Sequence, residues 1–307
     1  MQGPLRDGLI QSLAPFPGPW LLALSGGLDS TVLLYAIRQL WPEENVHAVH
    51  INHGLQSLAK AFEDSARSLC EPLGVVCHVR RLEKPEVFES GLEAWAREAR
   101  YRAIESVAGE LEIRTILLAH HADDQAETFL INLIRGTGID GLRGMPVAAR
   151  HHGLQWIRPL LKVTRSEILE QAKTWNLSWV EDPSNQDRSF LRNRIRHELV
   201  PLLETIRPGT SSRIVRLMQD LALEESQEAT AIAELDLGIL CSQTAEEKRL
   251  GLHNWAKKIA HRAPSRARLN ALYELCFVSK SGRGHVKHGK FVFRRDGNRL
   301  KAEPSAE

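Results

Sequence analysis

The stretch "LLALSGGLDSTVLLYAI", residues 21–37, decides the reading of this chain. An apolar run enters two glycines, an aspartate follows among hydroxyls, and a second apolar run begins. The pattern predicts a buried strand over 20–24, a tight turn, and a helix over 30–40. Gly26 and Gly27 remove Cβ atoms where the chain turns, so backbone N–H groups can approach an anion closely. The helix N-terminus adds about half a positive charge there. Ser25, Ser30 and Thr31 supply hydroxyl donors. A Walker A loop would add a lysine, and none is present. Asp29 stands in the cradle instead, and a bare carboxylate repels phosphate. A divalent cation between the two resolves the conflict. Mg²⁺ fits, because it prefers carboxylate and phosphate oxygens. Taken alone, the stretch reads equally well as a glycine turn with an N-capping serine.

Working outward, the same alternation continues. Strands are expected at 45–51, 74–80 and 114–120, with helices at about 57–71, 91–110 and 123–135. Leu92, Trp95, Ala99, Ile104 and Val107 share one face of the 91–110 helix. "QWIRPL" (155–160) reads as short and extended. Thr164 with Glu167 three residues on forms a capping-box pattern that starts another helix. Strands alternating with helices predict a doubly wound, mostly parallel Rossmann-like sheet. Such sheets bind ligands beyond the C-terminal ends of their strands. The glycine stretch and "HHADDQAET" (120–128) both fall at such ends. After Pro208–Gly209 the alternation stops. "SSRIVRLMQDLALEESQEATAIAELD" (211–236) reads as one long helix, and "KFVFRRDGNRLKAE" (290–303) as a hairpin turning at Asp296-Gly297-Asn298. The expectation is an α/β domain over 1–208 and a smaller, mainly helical domain over 209–307. Phe291 and Phe293 alternate with Val292 and are expected in its core.

Composition bounds the class. The chain has 307 residues, of which 43% are hydrophobic and 25% charged, ordinary for a globular enzyme. No apolar stretch reaches the ~20 residues of a membrane span, so no membrane partner is expected. The start lacks the layout of a signal peptide, and a cytoplasmic location is expected. Cys70, Cys77, Cys241 and Cys276 form no C-x-x-C, which argues against a zinc knuckle or an iron–sulfur site. The net charge of +2 hides a segregation. Residues 219–247 hold eight acids and no Lys or Arg, whereas 248–301 hold fifteen Lys and Arg against Glu274 and Asp296. That pattern points to a polyanionic partner for the C-terminal part.

A second cluster, "LLAHHADDQAETFLINLIRGTG" (117–138), puts His120, His121, Asp123, Asp124 and Glu127 where a strand becomes a helix. Asp124 and Glu127 are three apart and Asp123 and Glu127 four apart, so they line one helical face. Acids at a helix N-terminus are also stabilising in their own right. Three acids and two histidines exceed what capping needs. Further on, Arg188, Arg192, Arg194 and Arg196 fall within nine residues after a Pro-Ser-Asn turn. Arginine suits phosphate forks and base stacking.

"SGGLDS" at the end of a first strand is similar to the motif of the PP-loop ATP pyrophosphatases, which cleave ATP between the α- and β-phosphates. Seven blocks occur in order: "SGGLDS", "INHGLQ" (51–56), "AREARY" (96–101), "HHADDQAET", "RGTGIDGL" (135–142), "IRPLL" (157–161) and "EDPSNQDRSFLRNRIRHELVPLL" (181–203). Together they resemble the bacterial tRNA(Ile)-lysidine synthetase family. The resemblance is detailed from residue 20 to about 203 and looser beyond. One departure is visible: the family usually has Asp-His-Gly where this chain has Asn52-His53-Gly54, which removes a charge.

The resemblance implies a PP-loop fold and an ATP-dependent carbon–nitrogen ligase. ATP adenylates the C2 oxygen of the wobble cytidine in a CAU-anticodon tRNA(Ile). The ε-amine of free L-lysine then displaces AMP. It implies ATP bound at Ser25, Gly26, Gly27, Leu28, Asp29 and Ser30, with Mg²⁺ on Asp29. Asp124 and Glu127 match the positions that hold the lysine. Arg100 and one of His120 or His121 match positions near the adenylate and target base. Arg188, Arg192, Arg194 and Arg196 match the tRNA contacts. Without the motif, Arg100 would read as an ordinary helix ion-pair partner of Glu98 or Glu105. A PP-loop tRNA thiolase would want catalytic cysteines that the spacing does not offer. A small-molecule amidating enzyme would not need the arginine block and basic tail. A tRNA-binding protein with a dead nucleotide site would not need the intact Ser25–Ser30 motif. Oligomeric state is not legible, and a homodimer is compatible with the sequence.

Overall fold

The computed structural model describes residues 3–52, 54, 59–82, 92–229, 234–260, 263–279, 284–289 and 291–305. His53, Leu55 and Gln56 of "INHGLQ", and Arg262, Lys280, Arg283 and Lys290 of the basic run, lie outside the described residues. So do the side chains of Leu92, Glu224, Glu225 and Glu228. The chain divides into two compact units, Met1–Gln219 and Asp220–Glu307, so the division falls inside a helix, Thr210–Ala229.

The first unit opens with helix α1 (Pro4–Leu13), which the sequence reading did not anticipate. Its core is a six-stranded sheet in the order β3-β2-β1-β4-β6-β5. The strands are β1 (Trp20–Ala23), β2 (Val46–Asn52), β3 (Val76–Arg81), β4 (Thr115–Leu117), β5 (Ala148–His151) and β6 (Leu154–Ile157). All neighbours are parallel except β5, which pairs antiparallel with β6 through a two-residue turn. Helices α2 (Leu28–Leu40), α3 (Ala59–Cys70), α4 (Leu92–Glu110) and α5 (Ala122–Ile134) make the crossovers. A short α6 (Ile139–Leu142) follows, and α7 (Arg165–Thr174) starts after β6.

β1 is buried on both faces, as a central parallel strand must be. Trp20, Leu22 and Leu24 pack with α1, α2 and α7 residues such as Leu9, Val32, Leu33 and Ile168. Leu21 packs on the opposite side with Ile104 and Val107 of α4, Ile116 and Trp156. The order reverses direction at β1: β2 and β3 extend to one side, β4 and β6 to the other. This is the switch point, where the loops after neighbouring strands part and leave a crevice. The loop after β1 is the glycine stretch, and the loop after β4 is the histidine–acid cluster.

The arginine block is not one regular helix. It comprises α8 (Leu191–Arg194), a π-helical turn at Ile195–Leu199, and α9 (Val200–Ile206), followed by α10 (Thr210–Ala229). Ile195 is buried with Phe129 and Leu130 of α5 and with Met218. That contact seats the block on the helix that carries the acids.

The second unit holds α11 (Gly238–Cys241), α12 (Ala245–Ala260), α13 (Arg266–Tyr273) and a four-stranded antiparallel sheet, order β7-β10-β9-β8. The expected hairpin is its central pair, β9 (Phe291–Asp296) with β10 (Arg299–Pro304). Gly297 takes φ +58 at the turn, a conformation glycine adopts freely. The helix expected to run to 236 is described to Ala229. Glu234–Asp236 instead forms β7, because Leu235 pairs with Leu300 at the sheet and joins its core. β8 (Val286–His288) closes the other edge. Phe293 is fully buried against Trp255, as its alternation predicted.

Candidate active site

The glycine turn is ordered by its own serines. Ser25 Oγ and Ser30 Oγ lie 2.9 Å apart, and the Ser25 N–H donates to Ser30 Oγ at 3.1 Å. The Gly27 N–H donates to Ser25 Oγ at 3.2 Å, and Ser30 Oγ donates to the Gly27 carbonyl at 3.1 Å. Gly26 holds φ +85, and a Cβ there would sit 3.1 Å from the Phe62 carbonyl oxygen. An alanine is therefore strained by both backbone and space. The Val180 N–H donates to the Gly26 carbonyl at 3.1 Å, drawing the segment after α7 across the turn. The result is a rigid cradle at the N-terminus of α2.

Asp29, in the first turn of α2, is not alone. Its carboxylate lies 3.2 Å from Arg165 Nη1 and 3.8 Å from His121 Nε2. Burial raises the Asp29 carboxyl above the usual range, opposed by His121 and Arg165. Arg165 is the residue the sequence reading missed. It opens α7 at the end of β6, a third strand end on the same sheet edge. Its backbone N–H also donates to Asp123 Oδ2 at 2.8 Å. The legible signal was an aspartate in an anion loop without a local cation, which required one from elsewhere. The expected Thr164–Glu167 capping box is present and fixes this helix start: the Thr164 N–H donates to Glu167 Oε2 at 2.7 Å.

At the end of β4, two adjacent histidines have opposite environments. Burial pushes His120 down to about 4, so it is neutral at pH 7. Its Nδ1 is buried and has no hydrogen-bond partner among the described residues. Burial also lowers His121, but Asp123, Asp124 and Asp29 outweigh it and hold the imidazole above its ordinary value. His121 lies 3.5 Å from both Asp123 and Asp124. It bridges the anion cradle and the acids: Asp29 and Asp124 both face its Nε2, and Asp123 faces its Nδ1.

Asp124 and Glu127 are buried, at 9% and 2% exposure. Buried carboxylates require partners, and the arginine block provides them. Arg192 donates from Nε to Glu127 at 2.7 Å and from Nη2 to Asp124 at 2.8 Å. Arg196 donates from Nε to the other Glu127 oxygen at 2.5 Å and from Nη2 to Asp124 at 3.4 Å. The two arginines are four residues apart, so one helical face presents both. Burial raises the Asp124 carboxyl, but His121 and then Arg192 outweigh it and hold it below the usual carboxylate range. Asn193 anchors the block, donating to the Ser184 and Asp187 carbonyls at 2.9 and 2.8 Å. A cleft of about 230 Å³ opens beside the acids, lined by Asp123, Glu127, Arg165, Arg196, His197 and Ser211 among others.

The expected site residues therefore separate into two sets. Asp29, His121, Asp124, Glu127, Arg192 and Arg196 form one connected network, with His120 adjoining Asp124 electrostatically. Arg188 and Arg194 instead lie at the surface near Glu198, 3.8 and 3.6 Å away. Arg100 is exposed on α4 and makes no ion pair among the described residues; Glu98 pairs with Arg102 instead. Asn52, the departure from the family pattern, donates to Glu63 Oε2 at 3.2 Å. Glu63 is buried and also pairs with Arg67 and Arg81. An aspartate at 52 would face that carboxylate, so the amide suits this chain.

Mg²⁺ fits the cradle's donor set. Mg²⁺ takes one or two carboxylates and completes its shell with water and phosphate oxygens. Asp29 supplies one partly exposed carboxylate beside a phosphate-type loop.

A model of the PP-loop domain family ATP_bind_3 matches residues 11–203. The tRNA(Ile)-lysidine synthase of Pseudomonas aeruginosa is 40% identical over 249 residues, covering 79% of this chain and 55% of that protein. The tRNA(Ile)-lysidine synthase of Nitrosomonas europaea is 37% identical over 258 residues, covering 82% of this chain and 54% of that one. The chain thus spans little more than half the length of these curated relatives. Among solved structures, the U34-tRNA thiolase NcsA of Methanococcus maripaludis superposes with a TM-score of 0.61 at 21% identity. It covers 71% of this chain and 77% of the thiolase, a likeness of fold.

Proposed function

The chain belongs to the PP-loop family, and we propose that within it the protein acts as a cytoplasmic tRNA(Ile)-lysidine synthetase. The reaction joins free L-lysine to the wobble cytidine of a CAU-anticodon tRNA(Ile) with consumption of ATP. Curated relatives named for that activity support the reading. The observation that carries it is a pair of buried carboxylates, Asp124 and Glu127, already engaged with organic cations one side chain away from an anion cradle. Such a pair selects an ammonium, and the cradle selects a phosphate.

The chemistry orders the roles. The C2 carbonyl of cytosine is a poor electrophile, and adenylation converts its oxygen into a leaving group. The cradle at Ser25–Ser30 holds the phosphates through backbone N–H groups and the α2 dipole. Asp29 would hold a Mg²⁺, which would supply the positive charge that the loop lacks. Arg165 gives a second cation on the same side and neutralises charge on the departing pyrophosphate. Lysine must attack as the neutral amine. From an unperturbed pKa near 10.4, deprotonation at pH 7 costs about 4–5 kcal/mol. In this reading Asp124 and Glu127 hold the ammonium, and one of the two carboxylates accepts its proton. His120, neutral by burial, is a hydrogen-bonding group near the base rather than a charge. His121, held toward its cationic form, steadies the three acids around it.

For lysine to enter, at least one of Arg192 and Arg196 must leave the acid pair. A tRNA phosphate gives a displaced guanidinium a new partner, so the arginine block links tRNA binding to opening of the lysine site. Arg188 and Arg194 lie at the surface, where tRNA phosphates can reach them. Arg100 acts only if tRNA brings the target base to α4. The unit from Asp220 onward, with Arg266, Arg268 and Lys287 exposed, holds the tRNA body through salt-sensitive contacts. No subunit partner is needed for this account, which a homodimer would also satisfy.

The test is direct. The protein is incubated with ATP, Mg²⁺, labelled L-lysine and CAU-anticodon tRNA(Ile), and the tRNA is digested to nucleosides. Label is expected in a modified cytidine, dependent on ATP. In a parallel reaction supplied with sulfide, sulfur incorporation without lysine incorporation would make the protein a thiolase instead.

A further inference from the structure

Glu105, His151 and His152 form a cluster that the proposed reaction does not use. Glu105 lies midway along α4, fixed by its neighbours Ile104 and Val107, which are buried in the core. His151 ends β5, and His152 begins the two-residue turn into β6. His152 takes φ +49 and Gly153 takes φ +77, the left-handed pair that such a hairpin turn requires. Asn and Gly are the usual occupants of that first position, and a histidine there sets an imidazole at the tip of the hairpin. Both Nδ1 atoms lie 3.2 Å from the Glu105 carboxylate, and the two rings are in contact, tilted by 44° with centroids 3.9 Å apart.

The spacing matches a coordination polyhedron. Ligands about 2.0–2.1 Å from a tetrahedral ion are about 3.3 Å from one another. The observed 3.2 Å separations are close to that edge, and the three donor atoms all lie within 4.8 Å of each other. Two imidazoles with one carboxylate suit a borderline divalent ion of the zinc class rather than Mg²⁺. Glu105 is only 18% exposed, so one ligand is held in place, while the histidines, at 59% and 69%, are open to solvent. The hairpin tip precedes β6, which runs parallel to β4, so it lies at the sheet edge opposite the glycine loop and the acids.

We propose that Glu105, His151 and His152 bind one zinc-class divalent ion, clipping the β5–β6 hairpin to α4 away from the catalytic edge. Each imidazole coordinates through Nδ1 and keeps its proton on Nε2. Water completes the fourth position. The ion joins an edge hairpin to a core helix, so its effect is on stability.

The test uses the full, tag-free chain titrated with Co²⁺ as a spectroscopic probe, then with Zn²⁺. The expected result is one Co²⁺ per chain with the intense visible bands of four-coordinate cobalt. Zn²⁺ should abolish those bands and raise the thermal midpoint by several degrees. His152→Asn keeps a residue that tolerates the left-handed turn, and Glu105→Gln keeps the shape of the helix residue. Each should weaken Co²⁺ binding at least tenfold with unchanged far-ultraviolet circular dichroism. Absence of saturable binding below millimolar Co²⁺ overturns the proposal, as does equal affinity in both variants.

Discussion

The loops after β1 and β4 meet at one sheet edge but are stabilised in different ways. The glycine loop is local: its serine hydroxyls bond to one another and to the Ser25 and Gly27 N–H groups, all within six residues of chain. The acid loop is non-local: Asp124 and Glu127 are neutralised by Arg192 and Arg196, more than sixty residues further on. One loop is a preformed receptor. The other is a charged site already filled by the chain's own cations, and in the proposed reaction it admits lysine only when those cations move. The difference teaches that charge balance at a buried acid pair couples substrate entry to whatever draws the arginines away.

The sharpest way to break the comparison is to remove the arginines. Arg192→Met with Arg196→Met strips both guanidinium partners from two buried carboxylates, which costs about 3–5 kcal/mol, although Asp124 keeps His121. Urea unfolding followed by tryptophan fluorescence should show the loss. Adding Glu127→Gln should restore part of it, because one uncompensated charge disappears.

On the other loop, Asp29→Asn removes the carboxylate but leaves the serine bonds intact. Exchange of pyrophosphate into ATP should fall about 10²–10³-fold, as for loss of a group that stabilises developing charge. Unfolding should change far less than in the arginine variant. If stability fell equally, the glycine loop would not be the self-sufficient cradle described.

The two histidines give a pH test with opposite signs. His120 is lowered to about 4, so its contribution is full above 6.5 and lost as pH falls toward 4. With about 1.4 kcal/mol per pH unit, this limb amounts to about 3 kcal/mol at most. His121 is raised, so its contribution is full below 6.5 and lost as pH rises through its folded value. Stability should therefore peak near pH 6.5. His120→Gln should flatten the acid limb and His121→Gln the alkaline one, read from urea midpoints between pH 4 and 9.

The smallest effect concerns a charge kept away from both loops. Asn52→Asp should destabilise by about 1.5–3 kcal/mol, since a hydrogen bond to a charged group becomes a like-charge contact. Glu63→Gln in the same chain should reverse it.

Much of this site could be read in advance because its signals are local. Gly26 and Gly27, the Thr164–Glu167 box and the Asp296–Asn298 turn each encode a backbone conformation within a few residues. The alternation of strands and helices then fixed which strand ends share an edge. Side-chain pairing across the fold was not legible. Nothing near Asp29 announces Arg165, which pairs with it across 136 residues. The arginine block read as free for RNA because its distribution between Asp124, Glu127 and Glu198 depends on Ile195 seating it against α5. Strand β7 was hidden because three residues with one apolar centre carry no period. Only pairing with β10 makes them a strand.

One kinetic comparison bears most directly on the claim that Asp124 and Glu127 receive the lysine ammonium. It sets Glu127→Gln against the native chain in transfer of labelled lysine to CAU-anticodon tRNA(Ile), with lysine and ATP varied in turn. The account predicts that KM for lysine rises about 10²-fold, since a buried charge-assisted contact is worth about 1.5–3 kcal/mol, while KM for ATP stays within about threefold. An unchanged KM for lysine, or an equal rise in both, would contradict it.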